Sequence, residues 1–136
     1  MAENYFGITD TGRLRDNNED AFIAAEILDG RYVVACAIDG VGGYEGGEVA
    51  AALAKETIME ILSLPFDDAE KTLRSAIRFA NERIFEEKES RPDKNKMSCV
   101  LTLALADVQN NKFHYAHLGD TRLYLLRDGS MVKVTH

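Results

Sequence analysis

Little in this chain is basic, cross-linked or continuously apolar. Sixteen lysines and arginines stand against 23 aspartates and glutamates, a formal net charge of −7, and no basic stretch exceeds two adjacent residues. Nucleic acid and anionic membranes are poor partners for such a surface, because both are gripped by clustered Lys and Arg. Only two cysteines occur, Cys36 and Cys99, each inside an apolar run. They read as reduced small hydrophobes, not as a disulfide framework, and the cytoplasm is the expected compartment. No run approaches the roughly 20 apolar residues of a membrane span. The opening MAENYFGITDTG lacks the basic start and apolar stretch of a signal peptide. Internal repeats and low-complexity segments are missing too. The two prolines, Pro65 and Pro92, both fall where a helical pattern stops.

What is there suffices for one domain with a core: 136 residues, 46% of them hydrophobic. Tyr5 to Thr11 reads as a first strand. AFIAAEIL (Ala21 to Leu28) and YVVACAI (Tyr32 to Ile38) are apolar runs joined by Asp29-Gly30, a strong hairpin signal. A glycine-rich loop, Gly40 to Gly47, follows. From Glu48 the period becomes helical through Ala50, Leu53, Ala54, Thr57, Ile58, Ile61 and Leu62. Asp67 and Glu70 suggest a capping box for a second helix, striped by Leu73, Ala76, Ile77, Ala80 and Ile84 and ending near Glu89. Met97 to Val108, Phe113 to Leu118, Arg122 to Leu126 and Met131 to Val134 read as strands. Strands and helices in separate blocks predict an α+β fold, antiparallel sheet packed on helices, rather than a βαβ parallel fold.

Two stretches carry polar chemistry: RDNNEDAF (Arg15 to Phe22) and DGVGGYEGGE (Asp39 to Glu48). Asp39 leaves a buried run, and Gly40 lets its own carbonyl approach a ligand; carboxylate and carbonyl oxygens suit Mg²⁺ or Mn²⁺. On the dipeptide alone a plain turn is the stronger reading. A tight hairpin around Asp29-Gly30 brings Asp20 opposite Asp39, so Glu19, Asp20 and Asp39 are expected at one sheet end. Crowded carboxylates favour a cation between them, although a solvated acidic rim is an equal alternative. Arg15 has the planar fork that matches phosphate oxygens, or is a surface arginine. Asp120, in Gly119 to Arg122, is a turn residue or a further carboxylate. Gly42, Gly43, Gly46 and Gly47 read as a flexible loop before a helix, of the kind that can bind an anion at a helix N-terminus, but they match neither a Walker loop nor a dinucleotide fingerprint. His114 reads as strand surface and His117 as a satisfied structural histidine.

RDNNEDAF, AIDGVGGYEGGEVA and HYAHLGDTRLYLLRDGSMVKVTH occur in an order and spacing that resemble the metal-dependent Ser/Thr protein phosphatases of type 2C, the PPM family. The resemblance covers nearly the whole chain. It implies an antiparallel β-sandwich flanked by helices in α-β-β-α layers, incomplete in this chain, with a binuclear Mn²⁺ or Mg²⁺ site. It implies that Asp39 bridges two metals, Gly40 ligates one, Glu19 and Asp20 hold metal-bound waters, Asp120 helps hold a third metal, and Arg15 binds the phosphate. The implied reaction is hydrolysis of phosphoserine or phosphothreonine in proteins by a metal-activated water, opposing a Ser/Thr kinase.

Several positions depart from the family pattern. Val41 replaces a methionine and Tyr44 a histidine, Ser98-Cys99-Val100 replaces Gly-Thr-Thr, and Thr121 replaces a serine. The family usually continues for roughly another hundred residues, a domain-scale length, which supply two more ligating aspartates. The expectation is therefore a single phosphatase-type domain, N-terminal part, weak or inactive alone and prone to self-association through free sheet edges. A non-catalytic regulatory or binding module with the same fold is the alternative. A general acidic metal-binding domain fits the ordered motifs less well.

Overall fold

The computed structural model describes residues 4–42, 46–94 and 96–136. Six strands and two long helices follow one another as β1 (Asp20–Ile27), β2 (Tyr32–Val41), α1 (Gly46–Leu62), α2 (Ala69–Ser90), β3 (Ser98–Asp107), β4 (Lys112–Leu118), β5 (Tyr124–Arg127) and β6 (Ser130–Lys133). Strands β1 to β4 form one antiparallel sheet in sequence order, and β5 pairs with β6 in a separate hairpin. The block arrangement expected of an α+β chain is what the structure has.

The first hairpin fixes everything downstream. Asp29 and Gly30 take positive φ (56° and 78°), and the Arg31 amide donates to the Leu28 carbonyl at 3.2 Å. Primed turns of this kind match the strand twist, and the resulting register runs from Ile27 opposite Tyr32 to Asp20 opposite Asp39. Strand alternation then divides β2. Tyr32, Val34, Cys36 and Ile38 are buried toward the helices, whereas Ala35, Ala37 and Asp39 face the other side.

On the helix side, α1 lies across β1, β2 and β3, and α2 lies against α1. Ala50, Ala51 and Ala54 let α1 approach the sheet closely, with Ile58 and Leu62 filling the core beneath. Asp68 caps α2, its carboxylate accepting from the Lys71 amide at 3.1 Å. The cap is thus one residue later than the expected Asp67. Arg83 of α2 ties the two helices together, bonding Thr57 and reaching Glu56 and Glu60 of α1.

The other face of the sheet is different. Ala35, Ala37 and Ala104 are small, and they floor a groove of about 280 Å³ walled by Phe6, Ile8 and Leu123. This is the face that a second layer covers in a β-sandwich; among the described residues β5 and β6 pair only with each other. Leu125, Leu126, Met131 and Val132 of that hairpin are exposed.

Tyr5 to Thr11, expected as a first strand, is not one. It makes no ladder with a described strand. Instead Gly7 lies on the Phe22 ring, where any Cβ would come within 2.3 Å of ring carbons, and Thr9 accepts from the Asn18 side chain at 2.7 Å. Its alternating Tyr5, Gly7 and Thr11 pattern suits an extended chain, but a strand needs a partner for its backbone. Cys36 and Cys99 are free thiols. Burial pushes the first up to about 12 and the second to about 11, in keeping with inert, structural cysteines.

Candidate functional site

The hairpin register places Asp20 directly opposite Asp39 at one end of the main sheet. Directly opposed residues in an antiparallel pair project from the same face, so two carboxylates meet. The Asp39 carboxyl is raised above its ordinary value, first by desolvation, then by the charge of Asp20 and a hydrogen bond to it, and further by Asp120. Arg15 acts in the opposite sense. Two carboxyl groups can hydrogen-bond only by sharing a proton, and a cation between them would remove the need for it.

A second cluster sits beside the first. The Gly40 amide donates to the Glu19 carbonyl at 3.1 Å, extending the ladder past Asp20. Gly46 and Gly47 are buried in the first turn of α1. A Cβ on Gly40 would lie 2.1 Å from the Gly47 carbonyl oxygen and 2.3 Å from that of Glu19. One on Gly47 would lie 2.8 Å from the Gly40 carbonyl carbon and 2.9 Å from the Glu19 carboxylate. Three segments therefore touch backbone to backbone, and only glycine fits at the contacts. At Gly40 and Gly47 the glycine-rich stretch is a packing device. Gly43 and Tyr44 lie outside the described residues.

The sequence-derived set is thus divided. Asp20 and Asp39 meet; Gly40 follows Asp39 directly; Glu19 is turned toward Gly47 and the start of α1. The expected convergence of Glu19, Asp20 and Asp39 into one three-carboxylate cluster is not what forms, because alternation at the head of β1 sends Glu19 and Asp20 in different directions. Among the described residues no group of three or more His, Cys, Asp or Glu side chains is placed to hold a metal ion. Arg15 is exposed and reaches Glu19 only at 3.9 Å, leaving its fork available. Asp120 stands exposed in the turn after β4, near enough for its charge to act on Asp39. In the Arg15 loop, the Asn18 carboxamide oxygen accepts from the Asp20 amide at 3.0 Å and so sets where β1 begins.

These donors fit one hard divalent cation. They are carboxylates and, at Gly40, a backbone carbonyl, the oxygen ligands that Mg²⁺ and Mn²⁺ prefer. They do not by themselves fit two, since paired dications need several anions between them.

Sequence reasoning missed Thr102. Its hydroxyl is 2.8 Å from His117 Nδ1 and 2.6 Å from the Thr121 hydroxyl. His117 is satisfied, as expected, but through a partner 15 residues away that no local pattern marks.

The sequence pattern of the protein phosphatase 2C family matches residues 13–136. The serine/threonine protein phosphatase PstP of Mycobacterium tuberculosis is 36% identical over 132 residues, covering 96% of this chain and 24% of that protein. The serine/threonine phosphatase Stp of Listeria welshimeri is 32% identical over 132 residues, 93% of this chain and 51% of that one. The chain therefore spans about a quarter to a half of these relatives. The crystal structure of PstP superposes with a TM-score of 0.86 at 32% identity, covering 98% of this chain and 54% of that one. Its catalytic domain in complex with two manganese ions gives the same TM-score at 33% identity, covering 97% and 54%. With the family pattern running through all but the first dozen residues, and the sheet, helices and acidic sheet end arranged as described, the chain belongs to the protein phosphatase 2C family.

Proposed function

We propose that this chain forms the part of a metal-dependent protein Ser/Thr phosphatase that grips the substrate phosphate and seats the cation. The observation that carries the reading is the direct opposition of Asp20 and Asp39, whose repulsion is costly without a positive charge. The manganese-bound structure of PstP supports a cation of that kind here. Asp39 and the Gly40 carbonyl would hold it, with Asp20 serving its water shell on the Asp39 side and Glu19, packed beside Gly40, on the other, and Asp120 would help hold a further, weaker cation. When bound, Mn²⁺ or Mg²⁺ would supply Lewis acidity, lowering the pKa of a water and neutralising charge on the phosphoryl group.

The chain's own residues do the rest. Arg15, exposed and only loosely paired, offers two donors to phosphate oxygens and holds the phosphoryl group over the acidic end. Glu19 limits where that guanidinium rests between substrates. The packed glycines keep α1, β2 and the Arg15 loop at one spacing, so the donors are preorganised. Phosphorylated proteins are the proposed substrates, with a Ser/Thr kinase opposing. Two free thiols, Cys36 buried and Cys99 half-buried, fit a reducing cytoplasm.

A second reading keeps the fold without the activity, as a regulatory or binding module. It is favoured by one observation: among the described residues no group of three ligands assembles. Phosphate release from a phosphothreonine peptide in millimolar Mn²⁺ separates the two. It is assayed on the chain alone and on a protein carrying it at the length of its relatives. The phosphatase reading expects turnover in the longer protein, abolished by Asp39→Asn, and little from the chain alone. No turnover in either would favour the module.

A further inference from the structure

Asp120 is carried on an exposed turn, yet both of its neighbours are anchored to the same strand. Gly119 takes φ +92° and lies on Val100, where a Cβ would come within 2.3 Å of that side chain. Val100 is the direct cross-strand partner of Asp39. On the other side, the Thr121 hydroxyl bonds Thr102, two residues along β3 and on the same face as Val100. Thr102 is 4% exposed, and it also bonds His117, its cross-strand partner on β4.

A threonine hydroxyl has one proton to give and lone pairs to accept. If His117 Nδ1 accepts, Thr102 donates to it and receives from Thr121. If Nδ1 carries the proton, every bond reverses. Both contacts are satisfied in either direction, so the chain of three side chains holds whichever tautomer is present. Beyond Thr121, the Leu123 amide donates to the Thr135 hydroxyl at 3.1 Å and its carbonyl accepts from the Val134 amide at 2.8 Å, fixing the exit of the turn.

We propose that Thr102, held by His117, is a positioning residue that pins the Gly119–Thr121 turn onto β3 and so aims the Asp120 carboxylate at the Asp20–Asp39 end of the sheet. Val100 sets the near edge of the turn, beside Asp39, and Thr102 sets the far edge. The inference rests on the reading of Asp120 as a cation-holding carboxylate given above.

Nitrogen-15 relaxation on the chain tests the geometry without any metal. In wild type the amides of Asp120 and Thr121 should have order parameters near about 0.85, and in Thr102→Val they should fall below about 0.6. Thr102→Ser keeps the hydroxyl and should keep the order. His117→Asn retains a group at the Nδ1 position and should resemble wild type, whereas His117→Leu should loosen the turn.

Mg²⁺ titration of the same samples, followed at the Asp120 amide, is the second readout. Thr102→Val should weaken the cation response roughly threefold to tenfold, the reach of one or two buried hydrogen bonds, and Thr102→Ser should not. A Thr102→Val turn as rigid as wild type overturns the proposal. So does a loosened turn with an unchanged Mg²⁺ response. If wild type shows no Mg²⁺ response, the cation reading fails and the relaxation data alone decide whether Thr102 positions the turn. Should Thr102→Val fail to fold, the His117→Asn and His117→Leu pair decides instead.

Discussion

Gly40→Ala is the substitution whose cost follows most directly from the packing. The added carbon would stand 2.1 Å from the Gly47 carbonyl oxygen and 2.3 Å from the Glu19 carbonyl oxygen, where ordinary contact begins at 3.4 Å. The shortfall exceeds 1 Å against both, and both are backbone atoms that cannot rotate away. Relief requires moving the start of α1 off the sheet or breaking the Gly40–Glu19 ladder bond, 3.1 Å long. Overpacking of this kind costs about 1–3 kcal/mol, and a lost backbone hydrogen bond adds about 1 kcal/mol. Together they amount to about 3 kcal/mol, which for a chain of this size lowers Tm by about 10 °C. Gly129→Ala is the control: nothing lies within 4 Å of its Cβ position and φ is +78°, so only backbone strain of about 1–2 kcal/mol is incurred. Thermal and urea melts of the three proteins give the comparison. A Gly40→Ala chain melting within about 2 °C of wild type, or above Gly129→Ala, would refute the close-packing argument.

The other expectations concern charge and surface. Because the folded Asp39 carboxyl lies above 3.8, the native state holds its proton more tightly than the unfolded chain; metal-free stability should fall as pH rises from about 3.8 through the folded value. Asp20→Asn removes the nearest like charge, so it should flatten that pH dependence and raise Tm at pH 7. Arg15→Ala should change stability by less than about 1 kcal/mol, since its ion pair with Glu19 is long and Arg15 itself is exposed. In a turnover-competent protein it should instead raise KM for a phosphopeptide; a large Tm loss with unchanged KM would make Arg15 structural. Leu125, Leu126, Met131 and Val132 are exposed on a two-stranded hairpin, so the chain alone should self-associate in light scattering, and a monodisperse monomer would contradict that.

Much of this architecture is legible in local chemistry. Asp29-Gly30 specifies a turn, the turn specifies the register, and the register alone predicts that Asp20 meets Asp39. The helices announce themselves by period, and their ends fall within two residues of expectation. What was not legible depends on contacts between distant segments. Tyr5 to Thr11 has strand composition, but whether it becomes a strand depends on a partner that the local pattern does not name. Glu19 and Asp20 look equivalent in sequence; only the pleat and the arrival of Gly47 turn one toward α1 and the other toward Asp39. The glycines of the Asp39 loop suggested conformational freedom, whereas Gly40 and Gly47 are there for lack of space. Thr102 looked like any residue of a long strand until β4 and the following turn closed on it.

In the proposed function, Asp20 and Asp39 together seat a divalent cation. Binding of Mn²⁺ to the chain, read from the loss of the free-ion electron paramagnetic resonance signal, tests it most directly in wild type, Asp20→Asn and Asp39→Asn. Weak binding is expected, its tightest site lost in Asp39→Asn and weakened in Asp20→Asn, because two carboxylates and a carbonyl leave most coordination positions to water. Equal Mn²⁺ binding by wild type and Asp39→Asn would contradict it.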